Sequence, residues 1–403
     1  LDRLTNTVRP YAWGSRTLLP SLLGTPPTGE PQAELWMGAH PGAPSVLDRG
    51  TGPRPLDQVI AADPEGELGE AVVGRFGPTL PFLLKVLAAG EPLSLQVHPD
   101  LDQARAGFAG EESRGVPVDA PNRNYKDANH KPELICAVGE DGEEFVGLCG
   151  FRDPLDTARL LDLIGVPALA PLSEILRVKP EPEALREVLT SILTTDQDTM
   201  ACTVQQTVDA LDLAAQTADA GSAAALRSYA AVGRAFPGDP GVIAALLLNH
   251  IRLQPGEALY LGAGVPHAYL SGIGVEILAN SDNVVRCGLT PKHVDIPELL
   301  HIVDFRSTRP AVLHPVPVPG SDGEEVYPTP IDEFRLSRFT SSGTVPAATP
   351  QILLCTGGTA ELSSADGSSL TLRSGESVFI PAGGPDLALG GEGVTLFRAT
   401  VSV

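Results

Sequence analysis

Two fifteen-residue stretches of this chain read as copies of one another. Leu253-Gln254-Pro255-Gly256-Glu257-Ala258-Leu259-Tyr260-Leu261-Gly262-Ala263-Gly264-Val265-Pro266-His267 aligns with Leu372-Arg373-Ser374-Gly375-Glu376-Ser377-Val378-Phe379-Ile380-Pro381-Ala382-Gly383-Gly384-Pro385-Asp386. Each reads as strand, tight turn, strand, with glycine where positive φ or close backbone approach is needed. Two such units far apart in one chain predict two β bodies of similar plan. The flanking texture agrees. From 1 to about 150, the short apolar runs Glu34–Met37, Leu80–Val86, Leu93–His98 and Leu134–Val138, bounded by turn residues, predict strands. Leu56–Leu68 and Leu101–Phe108 predict short helices between them. From about 154 to 245 the composition shifts to Ala, Leu and acidic residues. There Leu185, Val188, Leu189, Ile192 and Leu193 form one helical stripe, and Thr207–Ala218 and Ala223–Phe236 read the same way. Strands return at Ile251–Leu253, Ala258–Leu261, Gly274–Leu278 and Val284–Cys287. A Pro-rich linker, Pro310–Pro319, then leads to a compact all-β tail. The expected fold is mainly β with an α-helical insert, divided as 1–152, 153–246, 247–310 and 311–403.

Composition removes several function classes. With 28 basic and 50 acidic residues the net charge is −22, which argues against binding a nucleic-acid backbone. No apolar run approaches the length of a membrane span, the longest lying around Val242–Leu248, and the first residues do not resemble a signal peptide. Five scattered cysteines form no CxxC pair. A cytoplasmic, monomeric protein with free thiols is expected, with no nucleic-acid or membrane partner. Lysine is scarce: only Lys85, Lys126, Lys131, Lys179 and Lys292 occur among the basic residues. All but Lys179 fall in the segments that look chemically loaded. An ammonium can titrate when buried or serve as a compact charge on a phosphate.

In Leu93–Asp100, strand alternation puts Ser94, Gln96 and His98 on one face, opposite Leu93, Leu95 and Val97. Lys131 and Glu133 share a face in His130-Lys131-Pro132-Glu133-Leu134, and His267 ends the first repeat copy. Gln96, His98, Glu133 and His267 offer two nitrogens and two oxygens, a set that suits zinc with room for a substrate or water ligand.

Both repeat copies are similar in spacing to the second cupin motif, G-x5-P-x-G-x2-H-x3-N. The first keeps the histidine, with Gly262 in place of Pro and Ser271 in place of Asn. The second keeps Pro381 and Gly383 but has Asp386 in place of His. The resemblance implies two cupin-type jelly rolls, the C-terminal one lacking the metal-ligand histidine and serving a structural role. A more specific likeness runs from residue 5 to about 305. Tyr11-Ala12-Trp13-Gly14-Ser15, Leu80-Pro81-Phe82-Leu83-Leu84-Lys85, Leu93 to Asp100, Tyr125 to Glu133, Gly264 to Tyr269 and Asn280 to Lys292 resemble type I phosphomannose isomerases. That resemblance implies one Zn2+ per chain on Gln96, His98, Glu133 and His267. It also implies interconversion of mannose 6-phosphate and fructose 6-phosphate through an enediolate, as in carbohydrate metabolism and GDP-mannose biosynthesis. By similarity Arg286 stabilises charge near the reacting carbons. Lys292, Lys85, Ser94 and Trp13 are expected to bind the small sugar phosphate.

The base is left open between Glu276, flanked by apolar neighbours that would raise its pKa, and Lys131. Tyr269 reads as wall, and Asp127, Asn129, Asp282 and Asn283 as turn residues. His130 reads as a residue behind the ligands, and Cys149 as a bystander. Two alternatives stand beside the isomerase. An iron-dependent cupin oxygenase would prefer two His and one carboxylate with open positions. A non-catalytic sugar-phosphate-binding cupin would have lost ligand or base residues.

Overall fold

The computed structural model describes every residue except Asp141. Antiparallel sheets and a block of helices make up the chain. The largest sheet has ten strands, six of them in the order Leu248–Leu253, Phe145–Phe151, His267–Ala279, Phe82–Ala89, Glu34–Met37, Thr7–Arg9. Leu95–Val97, Glu133–Ala137, Ala258–Leu261 and Val285–Gly288 join it off that path.

The long strand His267–Ala279 organises the sheet because it changes partners along its length. Its first residues pair with Phe145–Phe151 and with Gln96, and its later ones with Phe82–Ala89 and Glu133–Ala137. The change falls at Gly272, where φ is 110°. A Cβ there would lie 2.8 Å from both the Glu144 carbonyl oxygen and the Phe145 Cα. Gly272→Ala is therefore expected to cost at least ~2 kcal/mol, from a disfavoured backbone conformation plus a clash with main chain. A thermal-unfolding midpoint lowered by several degrees would register that loss.

Alternation along these strands separates core from site. Leu35, Met37, Leu84, Val86, Leu134, Cys136, Val275 and Ile277 face one way. They share a buried core with Tyr327, Phe334, Leu336, Ile352, Leu354, Phe379 and Phe397 of the C-terminal β unit. The opposite face carries Glu34, Trp36, Lys85, Glu133 and Glu276, aligned through the pairs Trp36–Lys85 and Lys85–Glu276. Phe82–Ala89 reads as an unbroken apolar run, Lys85 excepted, because both of its faces are covered.

The repeated segments are corners, not hairpins. Leu248–Leu253 pairs with Phe145–Phe151, and Ala258–Leu261 pairs with Glu133–Ala137. In the second copy Ser369–Arg373 pairs with Thr359–Ser364, and Ser377–Ile380 with Gln351–Gly357. The turn residues fix the reversal but leave the choice of strand partner to the sheets. Both corners are built alike. Gly256 and Gly375 have φ of 87° and 83°. Glu257 accepts from the Gln254 N–H and Glu376 from the Arg373 N–H, each at 2.8 Å.

Helices Pro154–Ile164, Ala170–Val178, Glu181–Thr194, Gln197–Ala215 and Ala220–Ala235 lie between Phe145–Phe151 and Leu248–Leu253, two strands that pair with each other. Asp153, Asp196 and Asp219 cap three of them by accepting backbone N–H groups. The helix starting at Leu101 continues past Phe108 to Ser113, begun by a reciprocal Asp100–Gln103 capping box. Pro310–Pro319 is pinned rather than free. Leu313 exchanges both backbone hydrogen bonds with Ala258, and Val316–Pro317 forms an edge strand. Beyond it lie a seven-stranded and a four-stranded sheet, and Asp2–Arg3 joins the seven-stranded one beside Ser377–Ile380. Among the described residues no helix is long and apolar enough to cross a membrane.

Candidate metal centre and cationic rim

Three strand ends deliver the donors. Gln96 sits in Leu95–Val97 and His98 just beyond it, Glu133 opens Glu133–Ala137, and His267 opens the long strand directly opposite Gln96. One donor atom each from His98, Glu133 and His267 lies within 4.8 Å of the others, and all three residues are buried. His98 Nε2 is 3.3 Å from Glu133 Oε1, His267 Nε2 is 3.6 Å from Glu133 Oε2, and Gln96 Nε2 is 3.4 Å from His267 Nε2.

The ring tautomers follow from what lies behind each imidazole. His98 Nδ1 is 2.9 Å from the Asn283 carbonyl oxygen and His267 Nδ1 is 2.9 Å from that of Val265. A carbonyl only accepts, so each Nδ1 carries the proton and each Nε2 turns a lone pair toward the shared centre. His98 Nε2 and Glu133 Oε2 are buried without a hydrogen-bond partner among the described residues. Orphaned buried acceptors are costly, and a cation would satisfy both. Burial, then the nearby Lys131 charge, pushes the His98 imidazolium down to about 4, so the ring is neutral at pH 7. Burial alone would raise the Glu133 carboxyl. The Lys131 ammonium, 2.7 Å from Oε1, and the two imidazoles instead hold it well below the usual carboxylate range. Two imidazole nitrogens facing one centre and one ionised carboxylate form a donor set suited to a divalent transition metal.

Along the same sheet face runs a second buried cluster. Lys85 Nζ lies 3.7 Å from Glu34, 3.4 Å from Glu276 and 5.0 Å from the Trp36 ring centroid. Trp36 Nε1 donates to Glu34 at 2.6 Å. Burial works against the Lys85 ammonium, but Glu34, Glu276 and Glu133 more than offset it and raise its pKa. Burial pushes Glu276 up to about 7 against the opposing Lys85 charge. Tyr269 packs edge-on against Phe145 at 5.1 Å, its hydroxyl buried without a hydrogen-bond partner among the described residues.

Arg286 pairs directly across from Gln96, half-buried, with burial lowering its pKa. Lys292 is lowered by burial and then by the Arg286 and Lys126 charges, so the three cations feel one another. Among the described residues none of the three forms an ion pair, in a chain of net charge −22.

The structure thus brings Gln96, His98, Lys131, Glu133 and His267 into contact, pairs Lys85 with Glu276, and gathers Arg286 with Lys292. Ser94 sits half-buried just ahead of the Leu95–Val97 strand. Trp13 stacks on Tyr11 at 5.8 Å and borders the interior core near Leu93. Cys149 is buried opposite His267 and its thiol is pushed up to about 12 by burial, so it is unreactive. Asp386 caps the Ala347 N–H and is exposed.

Sequence reasoning assigned no site role to Glu34, Lys126 or Asn283. Lys126 stood out as one of five lysines and as part of the Tyr125–Glu133 run, but was given no part in the site. Asn283 reads as a turn residue but is fully buried. Its side chain accepts from the Lys126 N–H at 2.7 Å and donates to the Asp127 and Asn129 carbonyls at 2.8 Å each, while its own carbonyl holds His98.

Residues 1–154 match the family described as phosphomannose isomerase type I, catalytic domain. The chain is 39% identical to the mannose-6-phosphate isomerase of Escherichia coli K12 over 98% of both chains. It is 33% identical to that of Bos taurus over 94% of this chain and 93% of the relative. A solved phosphomannose isomerase variant from Salmonella typhimurium superposes with a TM-score of 0.89 at 37% identity, covering 100% of this chain and 99% of that one. A zinc-bound mannose 6-phosphate isomerase superposes with a TM-score of 0.88 at the same identity and coverage.

Proposed function

This chain belongs to the type I phosphomannose isomerases, and from that premise we propose that it interconverts mannose 6-phosphate and fructose 6-phosphate with one zinc ion per chain. The observation that carries this reading is a buried three-donor centre accompanied by three mutually interacting cations that form no ion pair among the described residues. The orphaned His98 Nε2 and Glu133 Oε2, with His267 Nε2, are the atoms that would hold the metal. Gln96 can add its amide oxygen, the end of that group with lone pairs. When bound, zinc supplies Lewis-acid polarisation of substrate oxygens.

The remaining work falls to the chain itself. Moving a proton between C2 and C1 through an enediolate needs a base, a charge stabiliser and an anchor for the phosphate. Glu276, poised near neutrality by burial, is the better placed base. Lys131 is held against Glu133, where its ammonium keeps the ligand ionised and faces developing negative charge. Arg286, beside Gln96, stabilises the enediolate oxygens, and Lys292 and Lys126 draw the phosphate to the rim. Lys85, fixed between two carboxylates, orients the sugar hydroxyls at the inner end, while Trp13 and Ser94 form wall.

The same reading divides the chain into a catalytic cupin jelly roll (1–152 and 247–310), a helical insert (153–246) and a C-terminal cupin-like roll (311–403). The like-built corners at Gly256 and Gly375 support it, as do helices that leave and rejoin at paired strands. A coupled assay for fructose 6-phosphate formed from mannose 6-phosphate tests the activity. Oxygen uptake with tightly bound iron, or tight sugar-phosphate binding without turnover, would overturn it.

A further inference from the structure

The segment that carries Lys131 and Glu133 is tied down at both ends by its own sheet. The Asn129 carbonyl accepts from the Asn283 side chain at 2.8 Å, and the Pro132 carbonyl accepts from the Ala279 N–H at 3.1 Å. Between those ties lies His130, whose Nε2 is 2.5 Å from Glu333 Oε1. Glu333 belongs to the C-terminal β unit, just ahead of the strand Arg335–Phe339, and both side chains are about four-fifths buried, at 19% and 20% exposure. The imidazole contact holds the Glu333 carboxyl below the usual carboxylate range. One residue further along, Lys131 Nζ sits 2.7 Å from Glu133.

We infer that Glu333 is a positioning residue for the catalytic unit: by holding His130 it fixes the His130–Glu133 segment so that the Lys131 ammonium stays against Glu133. The inference rests on the isomerase reading above and gives the C-terminal unit a part in turnover beyond covering a sheet face. The bond is short, largely shielded from solvent and made between units that already share one core, so it is paid for by little loss of freedom on folding. Neighbouring ties restrain the main chain at Asn129 and Pro132, whereas the hydrogen bond to Glu333 restrains the His130 side chain.

Kinetics of the full-length, zinc-loaded chain with mannose 6-phosphate test it. Glu333→Ala should lower kcat on the order of tenfold, the size of effect expected when a reacting group is slightly misplaced, and leave KM within about twofold. Glu333→Gln, which keeps the size and one hydrogen-bond acceptor, should recover kcat to within about twofold of wild type. A purely structural Glu333 would lower the unfolding midpoint of the alanine variant and leave its kcat unchanged at temperatures where it is folded; that result overturns the inference. So does a glutamine variant as impaired as the alanine one. Wild-type chain that does not turn over mannose 6-phosphate would overturn both this and the isomerase reading, whereas an active wild type with unaffected variants overturns this alone.

Discussion

Dialysis against a chelator is expected to abolish isomerisation, and one equivalent of zinc to restore it in wild type but not in Glu133→Ala. Glu133 is the carboxylate donor of the centre, flanked by two imidazoles and an amide. Without it the remaining donors carry no formal charge to balance a divalent ion, and the Lys131 ammonium, 11% exposed and 2.7 Å from the lost carboxylate, would face that ion unopposed. Zinc content per chain should fall to a small fraction of wild type, and kcat/KM by at least ~10³-fold, equivalent to ~4 kcal/mol of transition-state stabilisation. Glu133→Gln separates charge from shape. It fills the same volume and keeps one lone-pair oxygen, yet lacks the charge, and should resemble the alanine variant in metal content while unfolding at a higher temperature. Full activity after exhaustive chelation would be incompatible with the proposed mechanism.

Replacing Arg286 with alanine should lower kcat by ~10²–10³-fold with zinc content and unfolding midpoint near wild type. Arg286 is the strand partner of Gln96 and forms no ion pair among the described residues, so its removal leaves no buried charge stranded. Stability is therefore spared and the loss falls on the reaction. Arg286→Lys should recover only part of the rate, since a single ammonium cannot reproduce a planar fork of donors on two substrate oxygens. An unchanged kcat in Arg286→Ala would remove the residue from its assigned role.

What the sequence made legible follows from how local the signals are. Alternation in Leu93–Asp100 was enough to put Gln96 and His98 on one face, and the acidic residue two beyond Lys131 was visible as a donor. The turn at Gly256 pointed to His267, although its flanking strands turned out to serve different partners. Nothing local could reveal Glu34, which enters the site through the register of a strand some fifty residues away from Lys85 in sequence. Asn283 was misread because its bonds go to residues 126–129, roughly 155 positions earlier, while an Asx turn would bond within two. Glu333 escaped notice for the same reason, since only packing of the C-terminal unit brings it to His130. Helix limits were misplaced where capping by Asp196 and Asp219 extended the N-termini beyond the apolar stripe. Periodicity finds the faces; register and long-range packing decide which faces meet.

The short strand Asp2–Arg3 lies against Phe379 and Val378, far along the sequence from it. During synthesis that edge stays open until residues near 380 have left the ribosome. Leu4, meanwhile, belongs to the core that also takes in Phe379, Phe397 and Val401. That sheet margin is thus closed by a pairing across most of this sequence, and a chain cut ahead of Val378 would be left with an unpaired strand and a gap in its interior.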